Sequence, residues 1–341
     1  MQEPLVAVKR GPYTESVHHG HIAVTDASGR LLYSVGDPRR VTFTRSALKP
    51  VQALPLVQSG AAERYLMTDR ELALCCGSHN GEDIHVHAVR GILHRLGLGE
   101  EKLQCGAHLP YDVQSSHDLL RSGGHACTVH NNCSGKHAGM LALAKFLQSD
   151  TGTYHLPDHP VQRMIAGALC EVTGLPEDQL ITAVDGCGVP TYGMPLDRLA
   201  LIYARLARPE SMESSNRLQQ SLSRIAGAMT SHPEMVAGRD VLCTDLMRVS
   251  GGEVVAKAGA EGVYGIGLVK EGLGIAVKIE DGQARAAYPA AVETLHQLGF
   301  LNEERRQKLI GYHQPAVTNR LNDIVGAIEP VFQLRNRKSA M

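Results

Sequence analysis

The chain has 341 residues, 43% hydrophobic and 20% charged, with a net charge of −1, which suits one large or two moderate globular domains with a sizeable core. Near-neutral charge, 4% aromatics and no Trp give no reason to expect a nucleic-acid partner, a membrane surface or a base-stacking platform. No apolar run approaches the roughly 18–20 residues that span a bilayer. Met1-Gln2-Glu3-Pro4 lacks the basic and apolar regions of a signal peptide, and eight cysteines without an export signal point to reduced thiols, so a cytoplasmic protein is expected.

Leu5 to Lys9 reads as a strand, and His21–Thr25 with Leu31–Val35 reads as a hairpin around Asp26-Ala27-Ser28-Gly29-Arg30. His18, His19 and His21, just before it, are expected in an exposed polar loop or edge. Thr44-Arg45-Ser46-Ala47-Leu48-Lys49-Pro50 follows. A serine three residues before a lysine shares a helical face with it, where a neutral amine can take the hydroxyl proton, as in the SxxK motif of serine acyl-transfer enzymes. Pro50 disfavours α geometry at Lys49, so either this is a helix's first turn or the helix starts at Pro50 with Ser46 just outside. The spacing alone also fits a capping serine and a solvated lysine. Val51 to Gln58 reads as one buried helix ending near Gly60.

Glu71–Asn80 is an apolar element running into the polar turn Cys76-Gly77-Ser78-His79. Ser78 is a site candidate and also a candidate cap for a Glu82–Leu96 helix, on which His85 and His87 read as surface residues. The decapeptide His130-Asn131-Asn132-Cys133-Ser134-Gly135-Lys136-His137-Ala138-Gly139 precedes a helix expected at Met140–Phe146. Polar donors, a thiol and a lysine at a helix start can bind an anion, an oxyanion or a soft metal. Cys187, in Val184-Asp185-Gly186-Cys187-Gly188-Val189-Pro190, is the next thiol placed on a turn; lone cysteines are equally read as buried structural thiols.

Pro157–Leu175, Leu196–Leu206 and Ser215–Ala226 read as packing helices. Gly251 to Tyr264 reads as strand, bend, strand, with Lys257 placed either as a solvated strand lysine or like the lysine of a K-T-G element. Leu273–Ile279 and Ala284–Tyr288 are expected as a last hairpin about Glu280-Asp281-Gly282. From Arg305 the chain turns polar, and 302–341 is expected as a peripheral segment of a single domain spanning 1–341, with Ile324–Leu334 able to dock on the body or on a partner.

Five stretches together resemble the rhizobial-type, class 3 L-asparaginases: Arg45-Ser46-Ala47-Leu48-Lys49-Pro50, Cys76-Gly77-Ser78-His79, Asn132-Cys133-Ser134-Gly135-Lys136-His137, Asp185-Gly186-Cys187-Gly188 and Lys257-Ala258-Gly259-Ala260-Glu261-Gly262. The resemblance runs from the first strand to about residue 300. It implies an α/β fold similar to serine β-lactamases and glutaminases, a mainly antiparallel sheet flanked by helices plus a helical lobe, in a homodimer. It implies hydrolysis of the side-chain amide of L-asparagine, with Ser46 at the nucleophile position, Lys49 as its base, and Ser78 with Lys257 as a second serine–lysine pair. Substrate binding is carried over to Arg45, His137, Asp185, Gly259, Ala260 and Glu261. Zinc, completed by water, is carried over to Cys133, Lys136 and Cys187, with Asp185 and His137 beside them. The alternatives are a glutaminase, a β-lactam or peptide hydrolase, and a zinc-binding module without enzymatic activity.

Overall fold

The computed structural model describes residues 1–337; the last four residues of the expected peripheral segment lie outside the described residues. The chain divides into two compact units, one formed by Met1–Ala47, Met194–Ser211 and the chain from Asp245, the other by Leu48–Gly193 and Met212–Thr244.

The first unit is built on a nine-stranded sheet. Its strands run in the order Ala316–Thr318, Ile324–Pro330, Glu3–Arg10, Tyr13–Asp26, Leu273–Ile279, Val263–Leu268 and Val254–Gly259, and the neighbours are antiparallel. Leu31–Val35 pairs with Tyr13–Asp26 as the hairpin pattern predicts, and Arg335–Asn336 pairs with Leu31–Val35. Ile324–Pro330 registers against Glu3–Arg10, from Val6 opposite Pro330 to Arg10 opposite Gly326. Alternation along Val263–Leu268 sends successive residues to opposite faces. Gly265 and Gly267 meet Tyr203 of the Leu196–Ala207 helix, whereas Tyr264 meets Tyr288 of the Ala284–Gln297 helix edge-on at 5.8 Å. One helix therefore covers each face.

Two expectations fail in this unit. Ala284–Tyr288 is not a returning strand: after the turn at Glu280-Asp281-Gly282 the chain enters the helix Ala284–Gln297. Its alanine-rich buried stripe, including Ala286, Ala287, Ala290 and Ala291, explains why helix wins. Nor do the early histidines form an exposed loop. They lie within the strand Tyr13–Asp26, where His18 and His21 are each only 3% exposed. Asp281 (2.5 Å from His18 Nδ1) and Glu280 (2.9 Å from His21 Nε2) make that burial tolerable.

The second unit is the helical lobe. Its centre is the helix Ser134–Phe146, buried continuously from Ser134 to Ala144, as suits a helix apolar nearly all round. Gly135 and Gly139, four apart on one face, let it lie flush on the Asp69–Cys75 helix: a Cβ at Gly135 would stand 2.6 Å from Leu74 O, and one at Gly139 2.9 Å from Cys75 Sγ. The helix starts at Ser134 rather than Met140, so Lys136 and His137 belong to its first turn. The expected single helix over Val51–Gln58 is two short ones, Lys49–Gln52 and Leu54–Gln58, each with a proline in its first two positions. Pro55 lacks the N–H that would continue the first ladder. The Asp83–Leu96 helix is capped by Glu82 and His85 rather than by Ser78, and His85 is fully buried rather than on the surface.

Candidate active site

In the second unit, two loops and one helix start converge on the Lys49 amine. Lys49 is fully buried and donates to Gly77 O at 2.5 Å, to Ser78 Oγ at 2.9 Å and more distantly to Asn132 O at 3.5 Å. An ammonium has three donors, and three acceptors are arranged around it. The loop carrying Ser78 can come this close because residue 77 is glycine: a Cβ there would be 2.7 Å from Met235 O. Ser78 N–H is bonded to Val236 O at 2.8 Å, and His79 N–H to Asn132 O at 3.2 Å, which ties the Ser78 loop to the loop before the central helix.

His79 strengthens that tie. Its Nδ1 accepts from Gly81 N–H and its Nε2 donates to Ser134 Oγ at 2.9 Å, which in turn donates to Val129 O. It stacks on His85 with centroids 4.8 Å apart. Burial pushes both rings below the usual histidine range, His79 strongly so, with the neighbouring His85, Lys49, His108 and His130 acting in the same direction on His79. A histidine held neutral in the fold takes up its proton more readily when unfolded, so its stability contribution is complete above the unfolded pKa of about 6.5 and is lost as pH falls below it. Thermal midpoints should therefore fall between about pH 6.5 and 5, before ordinary carboxylates titrate, and His85→Gln should flatten that slope. A wild-type midpoint constant from pH 7 to 5 overturns this expectation.

Next to Lys49 lies a thiol pair with a second buried lysine. Cys133 and Lys136 sit at the start of the central helix. Cys187 is presented by the turn between the paired segments Ile181–Val184 and Pro190–Gly193. Gly188, at φ +86°, and the bonds Asp185 N–H to Val189 O and Gly188 N–H to Asp185 O shape that turn. Lys136 Nζ is 3.1 Å from Cys187 Sγ, and Asp185 Oδ2 is 3.7 Å from the same sulfur. The bond from Cys187 holds the Cys133 thiol well below its ordinary range; Lys49 and Lys136 reinforce this against burial. Cys187, giving up that bond and buried, is raised in step. Burial works against the charge of Lys136, but the two sulfurs and Asp185 outweigh it and raise its pKa. The Cys133 thiol, drawn towards its ionised form, thus has Lys49 and Lys136 beside it. His137, fully buried, takes a hydrogen bond from Tyr154 Oη on Nδ1 at 2.7 Å, and its Nε2 has no partner among the described residues.

Among the described residues no group of three or more His, Cys, Asp and Glu side chains is arranged to hold a metal. The trio Cys133, Lys136 and Cys187 closes only through the lysine amine. Two soft sulfurs, one already favoured as thiolate, with a nitrogen beside them are a donor set that zinc accepts, provided the amine gives up its proton.

The first unit holds the other candidates. Arg45, Ser46 and Ala47 lie in the 3-10 turn Arg45–Leu48, with Arg45 at φ +49° and Ser46 half-buried. Beside them runs the strand Val254–Gly259: a Cβ at Gly259 would be 2.9 Å from Thr44 O and 3.3 Å from Ala47 N, so glycine is required for this approach. Lys257, 1% exposed on that strand, donates to Ala258 O at 2.6 Å. It is no solvated strand lysine. Ala260 and Glu261 form the exposed turn that follows, with Glu261 at φ +59° and its carbonyl accepting from Lys278 Nζ at 2.5 Å.

The structure thus groups Lys49, Ser78, Cys133, Lys136, His137, Asp185 and Cys187 in one unit and Arg45, Ser46, Lys257, Gly259, Ala260 and Glu261 in the other. Sequence reasoning missed the backbone acceptors at Gly77 and Asn132, which carry no side-chain signal, and the clasp made by His79, which did stand inside a quoted motif.

No curated protein matches the chain. Among solved structures it is similar to a β-lactamase from Mycobacterium bovis, at 16% identity over 83% of this chain and 95% of that one, with a TM-score of 0.42. It is also similar to Mglu in its glutamate form, at 17% identity over 82% of this chain and 61% of that one, with a TM-score of 0.38. The family model described as L-asparaginase II, a family of amidohydrolases, matches residues 6–330, and on that nearly full-length match the chain belongs to the L-asparaginase II family.

Proposed function

We propose that this amidohydrolase cleaves the side-chain amide of L-asparagine to L-aspartate and ammonia through a serine acyl-enzyme. The observation that carries the reading is the buried Lys49 amine 2.9 Å from Ser78 Oγ, with Lys49 three residues after a second serine, Ser46, in the chain. In this reading Lys49 takes the Ser46 proton, Ser46 Oγ attacks the amide carbon, and backbone N–H groups near Ser46 or Gly259 hold the oxyanion. Protons move to the leaving ammonia through Ser78 and Lys257, and water then hydrolyses the ester to free aspartate and Ser46. His137 Nε2, buried and without a partner among the described residues, and the exposed Glu261 are the side chains we assign to substrate binding with Arg45, Asp185, Gly259 and Ala260.

Cys133, Lys136 and Cys187 would hold zinc, which when bound would polarise or orient the substrate carbonyl. Purified protein is expected to contain about one zinc per chain by elemental analysis and Cys187→Ala almost none; metal-free wild type sinks the zinc assignment and leaves the serine chemistry standing. A homodimer and a cytoplasmic location belong to the same proposal, the first testable by sedimentation.

The test of the reaction is ammonia release from L-asparagine, with L-glutamine in parallel. Release from asparagine is expected. One methylene is worth only about 1–3 kcal/mol of discrimination, so some glutamine turnover is compatible; release from glutamine alone changes the substrate, and silence on both overturns the proposal.

A further inference from the structure

The turn that carries Ser46 has a backbone demand that its own sequence creates. Pro50 has no N–H, so it cannot supply the i+3 donor that would continue the 3-10 pattern onto the Ala47 carbonyl. A distant side chain donates there instead: Tyr203 Oη lies 2.7 Å from Ala47 O. Tyr203 is fully buried on the Leu196–Ala207 helix. Its reach depends on three glycines of the neighbouring strands. A Cβ at Gly265 would overlap the Tyr203 ring, one at Gly267 the Tyr203 carbonyl, and one at Gly274 the Ala200 carbonyl. None of the three has a positive φ, so closeness rather than backbone freedom explains them. The helix therefore rests directly on the sheet, and the ring passes over Gly265 to the turn. Gly259 presses on the turn's backbone at Thr44 O and Ala47 N. Tyr203 thus holds the Ala47 carbonyl, one residue past Ser46, and Gly259 lies close beside the Ala47 amide.

We infer that Tyr203 is a positioning residue for the hydrolysis: its hydroxyl fixes the Ala47 peptide and so sets the bearing of Ser46 Oγ toward the amide carbon. The inference rests on the reading of Ser46 as nucleophile. A displacement of about 1 Å in an attacking group costs on the order of 10²-fold in rate, so a single hydrogen bond to the adjoining peptide is a sensitive place to act.

The experiment is Tyr203→Phe in the full chain, which keeps the ring and its packing. We would measure kcat and KM for asparagine, the thermal midpoint, and hydrogen exchange of peptides covering Thr44–Ala47. The expected result is a kcat lower by about tenfold or more, KM within about twofold, and faster exchange confined to that segment. Where the variant is less stable, kcat is compared at a temperature at which circular dichroism shows both enzymes folded, so that a fold defect is not counted as a loss of rate. Unchanged kcat with unchanged exchange overturns the inference, as does a lower midpoint with the kcat of the folded enzyme intact, the mark of a purely structural hydroxyl. If the wild type releases no ammonia from asparagine, the proposed reaction falls, and exchange at Thr44–Ala47 alone decides whether Tyr203 holds the turn.

Discussion

Ser46→Ala is expected to reduce kcat/KM for asparagine by about 10⁴-fold or more while leaving the thermal midpoint nearly unchanged, because loss of the attacking oxygen removes the covalent route and leaves only binding and oxyanion stabilisation. The stability half follows from the position: Ser46 is half-buried in a short turn whose backbone is held by Tyr203 and Gly259, so one hydroxyl contributes little to folding. The comparison that matters is Ser78→Ala. Ser78 Oγ is one of three acceptors around Lys49 and passes protons to the leaving ammonia in the proposed route, so its loss should slow turnover by about 10²–10³-fold through acylation, the step in which ammonia leaves. A Ser46→Ala enzyme that keeps more than about a tenth of the wild-type rate, beside a dead Ser78→Ala enzyme, exchanges the two roles.

The sequence carried the local signals well where one face or one turn decides them. The Leu31–Val35 hairpin, the strand–bend–strand from Gly251, and the three helices at Pro160–Thr173, Leu196–Ala207 and Asn216–Ser231 all follow from periodicity and turn residues. The antiparallel sheet with a helical lobe follows from the five-motif resemblance, which nothing short of the whole order of motifs conveys. The failures share a cause. Whether His18, His21 and His85 are buried depends on Asp281, Glu280 and Glu234, partners about 150 or more residues away, and a polar side chain in a local window reads as exposed. Ala284–Tyr288 reads as a strand because a turn after a strand suggests a returning strand, and only the alanine spacing beyond Tyr288 says otherwise. Tyr203 left no trace because its role is set by glycines on two other strands, each unremarked in its own window. At the thiol cluster, spacing brought Cys133 and Lys136 onto one helix start, but their meeting with Cys187 required the 181–193 hairpin to fold back.

Lys49→Met is the other large effect, and it should damage chemistry and stability together. Methionine matches much of the lysine's length without its charge, so the cavity term is small and the losses are polar. Gly77 O, Ser78 Oγ and Asn132 O would each lose a donor, and Cys133 would lose one of the two lysines that draw its thiol below the ordinary range. Leaving a buried acceptor without its donor typically costs about 1–3 kcal/mol, more than the near-zero expected for Ser46→Ala. Loss of the base adds about 10²–10⁴-fold in kcat. Denaturant unfolding of the full chain alongside steady-state kinetics separates the two. A fully stable, inactive Lys49→Met enzyme means that the three acceptors are satisfied in some other way and Lys49 is held for catalysis alone. A destabilised enzyme whose folded fraction turns over asparagine at the wild-type rate removes Lys49 from the mechanism. Only joint loss fits a lysine whose amine ties the Ser78 and Asn132 loops together and, in its neutral form, takes the Ser46 proton.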